Sequence, residues 1–123
     1  MREILFKGKR VYNGEWITSN SIMQTNYSGT FLWYEGCWRE VISETVGQYT
    51  GLPDKNGKKI FEGDIIICDT SMYRHVTGTV KYSENASCYY IKALNSSNDY
   101  MFNCDNILII IGNIHDNPEL LEG

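Results

Sequence analysis

Histidine is scarce in this sequence: His75 and His115 are the only two among 123 residues. A multi-histidine metal centre, or an acid–base pair of two imidazoles, would have to use both. Closely spaced cysteines are missing too. Cys37, Cys68, Cys88 and Cys104 stand 31, 20 and 16 residues apart, whereas half of a structural zinc site needs two cysteines within about two to four residues. No GxxxxGK[ST] phosphate loop, GxGxxG turn, GxSxG elbow or HExxH pair occurs, so the common local signatures of nucleotide binding, serine hydrolysis and zinc proteolysis are absent. The longest uninterrupted apolar run, Ile107–Ile111, falls far short of the roughly 20 residues that span a bilayer. The opening MREILFKGKR has neither the apolar core nor the small-residue cleavage site of a signal peptide. Export and membrane association are therefore not expected, no cofactor is expected, and the Asn-x-Ser triplets at Asn26, Asn85 and Asn95 are read as turn composition.

Basic residues are few in the second half. Overall 15 Asp and Glu face 11 Lys and Arg, for a net charge of −4. Residues 1–62 hold 8 basic and 7 acidic side chains, and residues 63–123 hold 3 and 8. Duplex binding relies on a basic stripe that neutralises phosphates, and the second half cannot supply one. Two small basic groups, Lys7-Lys9-Arg10 and Lys55-Lys58-Lys59, sit in the first half.

What is present is a period of two. Glu3–Lys7 opens as a short strand, and Val11-Tyr12, Asn13-Gly14, Glu15-Trp16-Ile17 spells a hairpin, because Asn-Gly tolerates the positive φ of a type I′ turn. Thr30–Tyr34 and Cys37–Ile42 follow as strands. Asp54-Lys55-Asn56-Gly57 is a turn with Asx chemistry. Strands are then expected at Ile65–Cys68, Gly78–Tyr82 and Cys88–Leu94, with a turn at Ser83–Asn85 and a polar loop at Asn95–Asp99. The β-branched Ile107–Ile114 reads as a buried strand. Asn117 suits a helix N-cap, Pro118 the first helical position and Glu119 the positive end of the dipole, so one helical turn docked by Leu120 and Leu121 closes the chain.

The expected fold is mainly β: antiparallel hairpins in an aromatic N-terminal portion lead into a small SH3-like barrel, with a short C-terminal helical turn. The chain is read as one domain of 1–123 with a softer subdivision into 1–50 and 51–123. Exposed sheet edges would favour pairing with another subunit.

Catalytic candidates are weak. Cys104 beside Asp105, with His75 as a base, would make a nucleophile only if the fold joined them. Asp64, after Gly63, is better read as closing a turn on backbone N–H groups than as a general base. His115 and Asp116, adjacent on an extended segment, would point to opposite faces. Cys68 and Cys88, in apolar strand patterns, read as small hydrophobes. The three Trp and nine Tyr at alternating positions read as core fillers and cross-strand pairs rather than as a ligand cage.

The stretch Val46–Asp64, VGQYTGLPDKNGKKIFEGD, carries Gly47, Gly51, Gly57 and Gly63 around the Asp54 turn. With Ile65 it forms GQYTGLPDKNGKKIFEGDI, and together with the C-terminal IGNIHDNPELLE and the opening MREILFKG it resembles the YopX family of phage and prophage proteins. The resemblance implies a mostly β protein encoded by phages or integrated elements and residing in the bacterial cytoplasm. It brings no catalytic residues with it.

The leading expectation is a non-catalytic accessory protein that self-assembles as a homo-oligomer and binds a host or phage macromolecule. The alternatives are a nucleic-acid-associated protein using the Lys55, Lys58 and Lys59 turn tip, and a small enzyme centred on Cys104 or Asp64. Any partner contact within the signature stretch is expected at its exposed polar tips: Gln48, Tyr49 and Thr50, and the Lys55, Lys58 and Lys59 turn.

Overall fold

The alternating hydrophobicity resolves into antiparallel strands. A computed structural model describes residues 3–69, 76–94, 99–101 and 107–122, and the fold is mainly β. The chain divides into two compact units, Met1–Gly51 and Leu52–Gly123.

The first unit contains β1 (Phe6–Lys9), β2 (Trp16–Ser19), β3 (Ile22–Thr25), β4 (Gly29–Tyr34), β5 (Cys37–Val41), a 3-10 turn at Ser43–Thr45, and the start of β6 (Gly47–Pro53). β1 lies between β2 and β6 in one sheet, and β4 lies between β3 and β5 in another. Their inner faces meet at Ile17, Leu32 and Val41, with Phe6, Ile22, Tyr34 and Val46 packed around them. Burying each of these three aliphatic side chains contributes about 1.5–3 kcal/mol. Gly8 packs closely at this meeting point: a Cβ there would stand 3.1 Å from Val41 Cβ.

The second unit contains β7 (Lys59–Phe61), β8 (Asp64–Asp69), β9 (Val76–Ser83), β10 (Cys88–Ala93), β11 (Asp99–Met101) and β12 (Ile107–Asn113), ending in a 3-10 turn at Pro118–Leu121. Five of these strands form one sheet in the order β11-β10-β9-β8-β12. It curls into half a barrel, and its outer strands among the described residues are β11 and β12; the SH3-like label goes beyond that. Ile60, Ile66, Cys68, Val80, Tyr89, Ile91 and Leu108 form the core.

Local differences from the sequence expectations have physical causes. The Asn13-Gly14 turn is not a two-residue type I′ hairpin: Asn13 does not have positive φ, and a longer loop separates Lys9 from its partner Trp16. The chain after β1 is instead captured by β5, through an Arg10–Val41 bridge and a Val11 N–H to Glu40 carbonyl bond of 3.0 Å. The type I′ signature appears at Glu35 (φ 49°) and Gly36 (φ 84°), between the paired Tyr34 and Cys37. β12 is less buried than its composition suggests, since Ile107 and Ile111 are exposed and its pairing with β8 shifts between Ile110 and Gly112. The last turn is 3-10, and Asn117 makes no side-chain cap. Its Oδ1 accepts the Asn113 N–H at 3.2 Å instead. His115 and Asp116 lie in a turn rather than an extended segment, both donating backbone N–H to Asn113 Oδ1. Most of the expected loop at 95–99 lies outside the described residues, and Asp99 begins β11.

A candidate partner-binding face in the first unit

The six residues singled out in the signature stretch are not one exposed tip. Tyr49 and Thr50 are buried and Gln48 is half-buried. The reason is that this segment is a strand along β1, with Phe6 opposite Gln48 and the Tyr49 N–H bonded to the Leu5 carbonyl at 2.8 Å. Lys55, Lys58 and Lys59 are exposed on the turn that follows, in the second unit.

That turn is built on Asp54. Its Oδ1 accepts the N–H groups of Asn56 and Lys58 at 2.9 Å each, and its Oδ2 accepts the Ile110 N–H of β12 at 3.2 Å. Burial alone would raise the Asp54 pKa, but the backbone donors of Lys58, Ile110 and Asn56, with the Lys58 charge, outweigh it and hold the carboxyl below its ordinary value. Lys55 N–H bonds the Leu108 carbonyl, and Ile114 N–H bonds the Gly63 carbonyl. The signature stretch and the C-terminal string are thus bonded to each other within the second unit.

Asp64 is buried and accepts the Phe61 N–H at 2.8 Å, which is the turn-closing role. Burial pushes the Cys68 thiol pKa up, with Asp69 adding to it, so Cys68 is a protonated core side chain. Cys88 is half-buried and Cys37 exposed. Cys104 and His75 lie outside the described residues. Among the described residues no three His, Cys, Asp or Glu side chains cluster as metal ligands, and no helix is long and apolar enough to cross a membrane.

The residues that sequence reasoning passed over stand on the β4–β5 hairpin. Alternation turns Leu32 and Val41 inward and Trp33 and Trp38 outward. The two indoles are cross-strand partners in a T-shaped contact, with ring centroids 5.4 Å apart. They do zip the strands, as expected, yet they remain 45% and 39% exposed. Arg39 steadies the hairpin end by donating from Nε to the Tyr34 carbonyl at 3.1 Å and from Nη2 to the Glu35 carbonyl at 3.3 Å.

The Arg10–Val41 bridge brings the loop after β1 against this hairpin, and between them lies an open groove of about 580 Å³ lined by Arg10, Val11, Tyr12, Trp38, Arg39 and Glu40. The Arg10 guanidinium stands over the Tyr12 ring, 5.6 Å from its centroid, and its buried Nε has no hydrogen-bond partner among the described residues. Arginine, tyrosine and tryptophan are the side chains that most often supply binding energy at protein interfaces. The basic run ending at Arg10 was a partial sequence signal; nothing local announced that it would meet Trp38.

The fold and groove define an antiparallel β protein of two units with an exposed aromatic–arginine face. Its family follows from comparison. The profile described as "YopX protein" matches residues 7–122, and the chain belongs to the YopX family. It is also similar to a solved structure, protein EF1440 from Enterococcus faecalis, at 25% identity and a TM-score of 0.55, over 98% of this chain and 99% of that one. No curated protein matches the chain.

Proposed function

We propose that this YopX-family chain is a non-catalytic accessory protein, encoded by a phage or prophage, which self-assembles and binds a macromolecule in the bacterial cytoplasm through the aromatic–arginine face of its first unit. The observation that carries the reading is the outward-facing Trp33–Trp38 pair, half exposed on a paired hairpin. Trp, Tyr and Arg dominate the residues that supply binding energy at protein interfaces, and rigid aromatics lose little entropy on binding. The phage origin and compartment rest on the family resemblance alone.

The test is the double variant Trp33→Ser/Trp38→Ser, compared with wild type by size-exclusion chromatography with light scattering and by retention of partners from infected or lysogenic cells. The wild type is expected to assemble or to retain a partner, and the double variant to lose that property with its circular dichroism unchanged. A wild type that is strictly monomeric and retains nothing, or a double variant that behaves identically, overturns the reading.

A further inference from the structure

We infer that the Arg10–Tyr12–Trp38–Arg39 groove binds an acidic segment of a partner protein, with a carboxylate held between the two arginines and a neighbouring apolar side chain against Trp38 and Tyr12. The inference rests on the proposed binding role of this face and adds the chemistry of what binds there.

The groove has the volume of a small-ligand site, about 580 Å³, enough for a few side chains. Neither arginine makes an ion pair among the described residues. Arg39 is held in place by the Tyr34 and Glu35 carbonyls, which orient its guanidinium without neutralising it. Arg10 has a buried Nε with no acceptor, so its charge too is left without an opposing carboxylate among the described residues. A carboxylate is the matching acceptor, planar and with two oxygens facing the guanidinium fork. Tyr12 and Trp38, 86% and 39% exposed, are the aromatic side chains of the lining.

Charge decides between an acidic protein segment and a nucleic acid. Residues 1–51 carry five basic side chains (Arg2, Lys7, Lys9, Arg10, Arg39) and five acidic ones (Glu3, Glu15, Glu35, Glu40, Glu44), a net charge of zero for the first unit. A phosphodiester chain needs an extended positive field, which this balance does not provide. Glu40 lines the same groove. Its carboxylate would repel successive phosphates but accepts a hydrogen bond from a peptide N–H.

The experiment titrates the isotope-labelled full chain with acetyl-Leu-Glu-Leu-Glu-amide, following the Trp38 indole N–H and the Tyr12 amide by NMR. Both signals are expected to shift saturably at low salt, with acetyl-Leu-Gln-Leu-Gln-amide binding about tenfold more weakly, the effect of a lost charge-assisted bond. Arg10→Gln should weaken the acidic peptide by about the same factor. Tyr12→Ser, at a side chain too exposed to support the fold, should weaken both peptides. No shift at Trp38, equal binding of the two peptides, or tighter binding of a deoxythymidine decamer than of the acidic peptide overturns the inference. If the peptide fails while Trp33→Ser/Trp38→Ser still abolishes assembly or partner retention, the acidic ligand is wrong and the binding face stands. If that double variant changes nothing, the face itself fails.

Discussion

Replacing Asp54 by asparagine tests the joint of the second unit at one atom. The carboxylate serves three backbone donors: Asn56 and Lys58 at Oδ1 and Ile110 at Oδ2. Asparagine has one oxygen, so whichever way its amide is turned, an NH2 group confronts either the Ile110 N–H or the two turn N–H groups. Hydrogen bonds to a charged acceptor contribute about 1.5–3 kcal/mol each. The amide takes the orientation that costs less, and in either one at least one of the three part-buried donors loses its acceptor. Asp54→Asn is therefore expected to cost about 2–3 kcal/mol. The pH dependence gives a second reading of the same bonds. Burial raises the Asp54 pKa, but the backbone donors and Lys58 lower it further, so the folded value lies below the ordinary one of 3.8. A lowered folded pKa means that the stabilisation is complete above the unfolded value and is lost as pH falls through the folded value. Urea unfolding of wild type and variant, followed by circular dichroism at about pH 7 and then at successive steps below about pH 4, measures both effects. The two proteins should differ by the stated amount at neutral pH, and the gap should narrow on acidification. A neutral-pH difference under about 0.5 kcal/mol, or a gap that acid leaves unchanged, refutes the reasoning.

Three further substitutions or treatments probe other parts of the fold. A Cβ on Gly78 would lie 2.6 Å from Ile91 Cγ2 and 2.7 Å from the Lys92 carbonyl oxygen; Gly78→Ala is expected to destabilise by about 1–3 kcal/mol, and a thermal midpoint equal to wild type contradicts the packing. Glu35 holds a positive φ of 49°, which asparagine tolerates better, so Glu35→Asn should stabilise by about 0.5–1 kcal/mol and raise the midpoint by about 2–4 °C; a lower midpoint counts against the turn assignment. Iodoacetamide should alkylate exposed Cys37 in the native protein and reach Cys68, 1% exposed with its thiol pKa pushed up by burial, only in denaturant. Peptide mass mapping that finds equal native rates at the two sites would refute that prediction.

How much of this was legible in sequence depends on how local each signal is. The Asp54 turn needs only residues within four positions of the carboxylate, apart from the bond from Ile110, and its Asx chemistry was readable directly. The strands were readable because alternation is a property of each segment, so β4, β5, β8, β9 and β10 fall close to their expected places. Pairing is where local reading failed. Asn13-Gly14 carries the better type I′ dipeptide, yet β5 diverts the chain after Lys9 and the turn forms at Glu35-Gly36, where the cross-strand Trp33–Trp38 contact offsets a poor turn residue. Tyr49 and Thr50 look like loop residues beside Gly47 and Gly51, and only the neighbouring β1 shows them to be strand interior. The groove was least legible of all. Its two halves, residues 10–12 and 38–40, are far apart in sequence and meet through the Arg10–Val41 bridge and the Val11–Glu40 bond.

That contrast separates the residues that hold the joint of the second unit from those of the groove, both of which lie within the matched residues 7–122. The strings that mark the chain as YopX-like include Asp54, Gly63, Asp64, Gly112 and Asn117. In the structure these residues close turns, accept backbone N–H groups or leave room for a neighbouring side chain. Gly112 illustrates the point: a Cβ there would stand 2.5 Å from Asn117 Oδ1, the same oxygen that accepts the Asn113 N–H. Substitution at such positions damages the second unit whatever the protein binds. Tyr12, Trp33, Trp38 and Arg39 lie outside those strings: Tyr12 in the loop after β1, and the other three on the β4–β5 hairpin. Tyr12, 86% exposed, can change with little effect on packing, whereas Trp33, Trp38 and Arg39 also hold the β4–β5 hairpin together. On the proposed reading, the joint of the second unit and partner choice are carried by separate residues.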